Sequence, residues 1–164
     1  MRFALLPALA LIAAVTATAA TAAPGRDDQL KPVSVQMAAA GQAALVAGKP
    51  QDAIDSFEAA LASDPRNVGA FAGIAAAYEK LGLPGKAVKY YREALALNPS
   101  DIGALEGQGR ALVARGATAR AQINLARIKA LCKADCSAAG RLEGVIAKAS
   151  QQAAAPVKAK TQQN

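Results

Sequence analysis

Apolar and small residues recur along this chain with a period of 34 residues. The clearest recurrence joins Ala53, Phe57 and Ala60 to Ala87, Tyr91 and Ala94. Within each set the spacing is i, i+4, i+7, which places the three side chains on one face of an α-helix. A fixed period of this length indicates stacked copies of one supersecondary unit, because a single copy is too small to bury its apolar face alone.

Glycine and proline mark the ends of the predicted helices. Gly48 and Gly82 are expected to close first helices as left-handed caps, and Pro50 and Pro84 to open the second helices. The residue before a proline is pushed out of the α region, so Asp64-Pro65 and Asn98-Pro99 end the second helices. We predict helices at residues 34–47, 50–63, 67–81, 84–97, 101–115, 118–132 and 137–152.

Three units, at residues 34–67, 68–101 and 102–135, align without a gap. Their shared places are the eighth (Gly41, Ala75, Gly109), the twentieth (Ala53, Ala87, Ala121) and the twenty-fourth (Phe57, Tyr91, Leu125). This pattern resembles the tetratricopeptide repeat. Ala44 departs from it by replacing an aromatic residue, and Lys133 departs by replacing the terminal proline.

The resemblance implies an all-α protein. Its fold would be a right-handed α-solenoid of three helix–turn–helix units, closed by a C-terminal capping helix at residues 136–152. The apolar stripe of Leu142, Val145, Ile146 and Ala149 suits that helix to cover the last unit.

The two ends of the chain differ from the repeats. Arg2, the apolar run of residues 3–15 and the small residues Ala20 to Ala22 predict a cleaved secretory signal at residues 1–22, although an uncleaved anchor is the alternative. We therefore expect an exported protein, in the periplasm if the source is bacterial. Residues 23–33 are predicted to be a linker, and residues 153–164 a disordered tail, since they lack apolar periodicity. No later run approaches membrane-spanning length.

The charge of the chain is +7 and is unevenly distributed. Residues 23–109 carry eight Lys or Arg and ten Asp or Glu, whereas residues 110–164 carry ten and two. The basic half favours an acidic partner or anionic surface, or is simply a solvated face that keeps the protein soluble. Nucleic acid is not the expected partner, because the basic residues are not interleaved with aromatic ones.

The cysteines are Cys132 and Cys136. In an oxidising compartment they are expected to form a disulfide between the last unit and the cap, with thiol–disulfide redox exchange as the alternative. Zinc is not expected, because the chain has no histidine and two thiolates do not close a tetrahedral site. We predict no enzyme activity, no cofactor and no metal, since histidine-based catalysis and a Gly-rich phosphate loop are both absent from the sequence.

The resemblance also implies a concave groove lined by the first helix of each unit. The groove residues it predicts are Val35, Ala38, Gln42, Leu45, Ala72, Ala76, Glu79, Glu106, Arg110 and Val113. For the apolar members Val35, Leu45 and Val113, helix packing is an equally good interpretation. The places that grip a C-terminal carboxylate in one subtype of the family hold Ala38, Gln42, Gly73, Gly103 and Gly107, which do not support that subtype.

These features predict a non-catalytic protein–protein interaction module of the bacterial cell envelope. It would bind a peptide or a helix of a protein partner in its groove. The alternatives are a self-associating structural protein and a thiol–disulfide redox protein that uses the cysteine pair.

Overall fold

The computed structural model describes residues 29–133 and 136–154. The described residues form seven α-helices and no β-strand, which confirms the predicted all-α solenoid. The helices are α1 (Pro32–Val46), α2 (Pro50–Ser63), α3 (Val68–Lys80), α4 (Pro84–Leu97), α5 (Ile102–Ala114), α6 (Thr118–Leu131) and α7 (Ser137–Ala154). No helix among the described residues is long and apolar enough to cross a membrane.

The helices form an inner and an outer layer. α1, α3, α5 and α7 contact one another in series. Each of α2, α4 and α6 packs between two consecutive inner helices, and no outer helix contacts another in the part of the chain described. The inner helices approach one another closely, while the outer helices remain apart. This difference curves the stack, so the inner helices line its concave face.

The turn inside each unit is closed by a left-handed glycine. Gly48, Gly82 and Gly116 have φ angles of 72°, 69° and 75°. In the first turn the N–H of Gly48 donates to the carbonyl of Leu45 at 3.2 Å, and the N–H of Lys49 donates to that of Ala44 at 2.9 Å. This pair of hydrogen bonds satisfies the last carbonyls of the helix, and the predicted role of the glycines is confirmed.

The connection between the first two units is held by buried polar groups. Asn67 accepts a hydrogen bond from the N–H of Ala70 at 3.0 Å and donates to the Ser34 hydroxyl at 2.9 Å. Asp64 accepts from the N–H of Lys31 at 3.1 Å and from the Arg66 side chain. The Arg66 hydrogen bonds hold the pKa of Asp64 well below its usual range. The start of α1 is therefore fastened to the end of α2.

Aromatic side chains of the outer helices lie directly on glycines of the inner helices. The Phe57 ring covers Gly41 of α1, where an added Cβ would meet it at 2.9 Å, and Gly73 of α3, where an added Cβ would collide with it. The Tyr91 ring covers Gly107 of α5 in the same way. These contacts lie in the two apolar clusters of the core, in which both rings are almost wholly buried.

Two helix boundaries differ by two residues from those predicted, and six others differ by one residue. α1 begins at Pro32, inside the predicted linker, because a proline fits the first position of a helix and the preceding N–H is bonded to Asp64. α7 continues to Ala154, two residues into the predicted tail, since no helix breaker occurs before Pro156. The signal at 1–22, residues 23–28 of the linker and residues 155–164 of the tail lie outside the described residues.

Replacing Gly73 tests the contact between ring and glycine. We expect Gly73→Ala to lower the free energy of unfolding by about 1–3 kcal/mol, because the new methyl group would overlap the Phe57 ring. Gly144→Ala is the matched control, since Gly144 is also helical and its added Cβ would meet nothing within 4 Å. That change should stabilise by up to about 1 kcal/mol. Chemical denaturation measures both, and equal effects would contradict the packing described.

Candidate functional site

Two shallow cavities lie side by side on the concave face. One, of about 330 Å³, is lined by Ala76, Glu79, Lys80 and Arg110. The other, of about 320 Å³, is lined by Gln42, Leu45, Val46, Ala76 and Lys80. Ala76 and Lys80 belong to both, so the two cavities form one continuous depression across α1, α3 and α5.

Five of the predicted groove residues line this depression: Gln42, Leu45, Ala76, Glu79 and Arg110. Val46 and Lys80 line it as well, although they are not among the predicted groove residues. Both occupy the thirteenth place of their unit, one helical turn after Gln42 and Ala76. The i, i+4 spacing on a helix face is the signal that could have found them.

The other predicted groove residues lie outside the two cavities. Val35 is half exposed in the first turn of α1. Ala38, Ala72 and Val113 pack against the apolar clusters, and Glu106 is almost fully buried. A role of these residues in binding stays a prediction. In the fold, Ala38, Ala72 and Val113 serve in packing and Glu106 in ion pairing, whereas Val35 belongs to neither apolar cluster.

A chain of ion pairs and hydrogen bonds crosses one end of the depression. The Tyr91 hydroxyl donates to Glu79 Oε2 at 2.7 Å, and Arg110 donates to the same oxygen at 3.1 Å. Arg110 also donates to Glu106 Oε1 at 3.1 Å. Arg141 of α7 completes the chain with two hydrogen bonds to Glu106, at 2.8 and 2.7 Å. We call these five residues the groove network.

The groove network alternates in charge and is neutral overall. Hydrogen bonding from Arg141 holds the pKa of Glu106 below its usual range, although burial opposes this. Burial, together with the neighbouring Glu79, raises the pKa of the Tyr91 hydroxyl, which therefore stays a donor. Arg110 is held between two carboxylates, so its charge is largely satisfied within the protein. Lys80, in contrast, forms no ion pair with any described residue.

Two of the places that would carry carboxylate-gripping side chains are blocked by packing. Gly73 lies beneath the Phe57 ring and Gly107 beneath the Tyr91 ring. A side chain at either place would overlap the aromatic ring above it. The core, as well as residue identity, therefore leaves no room for such side chains at Gly73 and Gly107.

The cysteine pair lies away from the groove, between α6 and α7. The Cα atoms of Cys132 and Cys136 are 5.6 Å apart and their Sγ atoms are in direct contact, a separation that suits a disulfide. The bond itself stays a prediction. Within residues 29–133 and 136–154, no group of three or more His, Cys, Asp or Glu is placed to hold a metal ion.

Comparisons with known proteins agree on the fold. A family model described as a tetratricopeptide repeat matches residues 38–102 and 77–127. The first TPR of Spaghetti (RPAP3), bound to the HSP90 peptide SRMEEVD, is 26% identical with a TM-score of 0.66, over 74% of this chain and 96% of that one. The first TPR domain of human RPAP3 is 25% identical with a TM-score of 0.67, over 73% and 94%.

A bacterial structure is similar in fold alone. The type III secretion translocator chaperone SycD of Yersinia enterocolitica is 16% identical with a TM-score of 0.67, over 76% of this chain and 96% of that one. No match was found among curated protein sequences.

Neutralising Glu106 tests the groove network. Glu106→Gln should lower the free energy of unfolding by about 2 kcal/mol at neutral pH, because two guanidinium groups lose their shared carboxylate. In the folded protein the pKa of Glu106 lies below its ordinary value of 4.5. The stabilisation that its ion pairs provide is therefore full above pH 4.5 and is lost as the pH falls through the lowered pKa. The difference between wild type and variant should therefore shrink in acid.

Chemical denaturation at neutral and acid pH measures this difference. Glu143→Gln is the control, since its ion pair with Lys129 is exposed and should contribute no more than about 1 kcal/mol. A cost of Glu106→Gln that is the same at every pH would contradict the role given to its charge.

Free-thiol labelling tests the cysteine pair. We expect no labelling of Cys132 or Cys136 in protein taken from its native host, denatured without reductant. Full labelling after reduction is the control. Stoichiometric labelling before reduction would show that the disulfide does not form and that α7 is held by packing and ion pairs alone.

Proposed function

The chain belongs to the tetratricopeptide repeat family, and on that basis we propose that it is a non-catalytic module that binds a peptide or a helix of a partner protein in its concave groove. The observation that carries this proposal is the depression across α1, α3 and α5. Its lining combines apolar side chains with polar and charged ones: Leu45, Val46 and Ala76, and Gln42, Glu79, Lys80 and Arg110. The sequence of residues 1–22 supports export, and we propose the bacterial cell envelope as the place of action.

The shape of the floor indicates what the groove accepts. Ala76 lies where the two cavities meet, so the floor is shallow there and can receive a side chain from the partner. Leu45 and Val46 make one end apolar, while Glu79 and Arg110 make the other end ionic. An amphipathic segment that presents apolar groups to the first end and polar groups to the second matches this gradient.

Recognition of an internal segment is favoured over recognition of a chain end. A structural neighbour of similar fold, the first TPR of Spaghetti (RPAP3), is bound to the HSP90 peptide SRMEEVD. In this chain, the places for a carboxylate grip hold small residues or glutamine, and two of them lie beneath aromatic rings. Lys80 is the unpaired cation that lines both cavities, and it can pair with an acidic side chain of the partner.

Two matched substitutions of alanine by phenylalanine test the groove. Ala76→Phe fills the junction of the two cavities, and Ala96→Phe adds the same bulk to an exposed place on the outer helix α4. Partners are captured from an envelope extract of the native host, identified, and titrated against each variant. We expect Ala76→Phe to weaken binding at least about tenfold and Ala96→Phe to leave it unchanged.

The outcome distinguishes the alternatives. Equal binding by both variants would show that the partner does not use the groove. If the captured partner is another copy of this chain, and light scattering shows a mass that rises with concentration, the protein is a self-associating one. If capture depends on the cysteine pair and disappears with Cys132→Ser but not with Ala76→Phe, thiol exchange is the better account.

A further inference from the structure

We propose that the edge of the solenoid formed by the turns within the units docks on an anionic lipid bilayer. This edge, here called the turn edge, comprises residues 46–52, 80–86 and 114–120. Antiparallel helix pairs stacked in register bring their turns to the same side of the molecule. The second and third turns lie close together, since a Cβ added at Gly85 would lie 3.9 Å from Nε of Arg115. The proposal is independent of what the groove binds.

The turn edge carries a concentrated positive charge. Its cations are Lys49, Lys80, Lys86, Arg115 and Arg120, and its single acid is Asp52, which gives five minus one, or +4. All five cations are exposed, and none forms an ion pair with a described residue. Lys86 Nζ lies 4.9 Å from the centre of the Tyr78 ring. The charge therefore faces solvent without compensation.

The opposite edge lacks this charge. It is formed by residues 29–35, 62–68 and 96–102, which contain two Lys or Arg and two Asp, for a net charge of zero. Asp64 and Arg66 on that edge are paired with each other. The two edges of the same stack thus differ by four charges, although a count along the sequence assigns the excess to the C-terminal half.

Aliphatic side chains stand among the cations of the turn edge. Val46 is 81% exposed, Leu81 39% and Leu83 42%. They flank the left-handed glycines of the first two turns. Exposed aliphatic groups also occur on the opposite edge, for example Leu97, but there the described residues include one exposed cation without an ion pair, Lys31. The turn edge is distinguished by five such cations among its aliphatic groups.

The turn edge can attract a partner through its side chains rather than through free backbone N–H groups. The backbone N–H groups of Gly48, Lys49, Gly82 and Leu83 are all bonded to carbonyls of the preceding helix. Beside the polar side chains of Gln51 and Asp52, what remains for a partner is mainly a row of long cations and short aliphatic groups. A bilayer with anionic headgroups needs only these two, because lysine and arginine attract the headgroups while aliphatic groups enter the boundary with the acyl chains. A specific protein face would be expected to meet polar groups with fixed geometry.

Vesicle sedimentation with charge-reversed variants tests this proposal. The protein, purified as its host processes it, is mixed with vesicles of phosphatidylcholine alone or with an equal amount of phosphatidylglycerol. We expect binding to the anionic vesicles that weakens with salt. The triple variant Lys49→Glu, Arg115→Glu, Arg120→Glu should bind at least about 100-fold more weakly. Lys80 is left unchanged because it also lines the groove.

The control variants make the same change in net charge, or remove the same aliphatic side chain, at positions away from the turn edge. Arg92→Glu, Lys129→Glu and Lys133→Glu together alter the net charge by the same amount away from the turn edge and should leave vesicle binding nearly unchanged. Leu83→Ser should weaken binding about tenfold, whereas Leu97→Ser on the opposite edge should not. Circular dichroism confirms that each variant remains helical.

Three results would overturn the proposal. The first is no binding to anionic vesicles at low salt. The second is an equal loss from the two triple variants, which would show that total charge rather than the turn edge is responsible. The third is binding to polyglutamate as tight as to anionic vesicles, unaffected by Leu83→Ser, which would make the edge a docking site for an acidic protein instead.

Discussion

The structure depends on one packing arrangement, in which an aromatic ring of an outer helix lies on the bare backbone of an inner helix. Phe57 covers Gly41 of its own unit and Gly73 of the next, and Tyr91 covers Gly107. A glycine at these places removes the side chain that would hold the helices apart, and the ring fills the space. The spacing of the inner helices, and with it the curvature of the groove, follows from this contact.

The same contact links the core to the electrostatics of the groove. The place of Tyr91 is held by Phe57 in the first unit, and the place of Glu79 by Leu45. The first unit therefore has an apolar ring and an apolar groove residue, whereas the second has a hydroxyl that donates to a carboxylate. The groove network starts from that hydroxyl and reaches Arg141 of the capping helix. The cap thus contributes to the ionic end of the groove, in addition to covering the last apolar face.

Charge in this protein is organised by position in the fold. Along the sequence the basic residues concentrate after Gly109, but in the structure Arg110 and Arg141 are paired with carboxylates. The unpaired cations of the turn edge come from all three units, including Lys49 and Lys86 in the half that is acidic overall. The groove and the turn edge meet at Lys80, which lines both cavities at the end of α3. A partner in the groove would therefore lie next to whatever the turn edge contacts.

The sequence by itself determined the repeat, the number and order of the described helices, the left-handed glycines at 48 and 82, and the burial of Phe57 and Tyr91. These features are local, since a helix face is set by spacings of three and four residues and a helix end by one glycine or proline. The start of α1 differs from the prediction because a distant residue stabilises it. The N–H of Lys31, which precedes Pro32, bonds to Asp64, 33 residues further along the chain.

The sequence determined only part of the candidate site. The tertiary structure decided that Lys80 and Val46 belong to the groove, that Glu106 is buried, and that Arg110 is already paired. It joins Glu79 to Arg110 across 31 residues and Glu106 to Arg141 across 35. Which charges are satisfied and which remain available depends on distances between units, and these are set by the packing of rings on glycines rather than by any pattern within one unit.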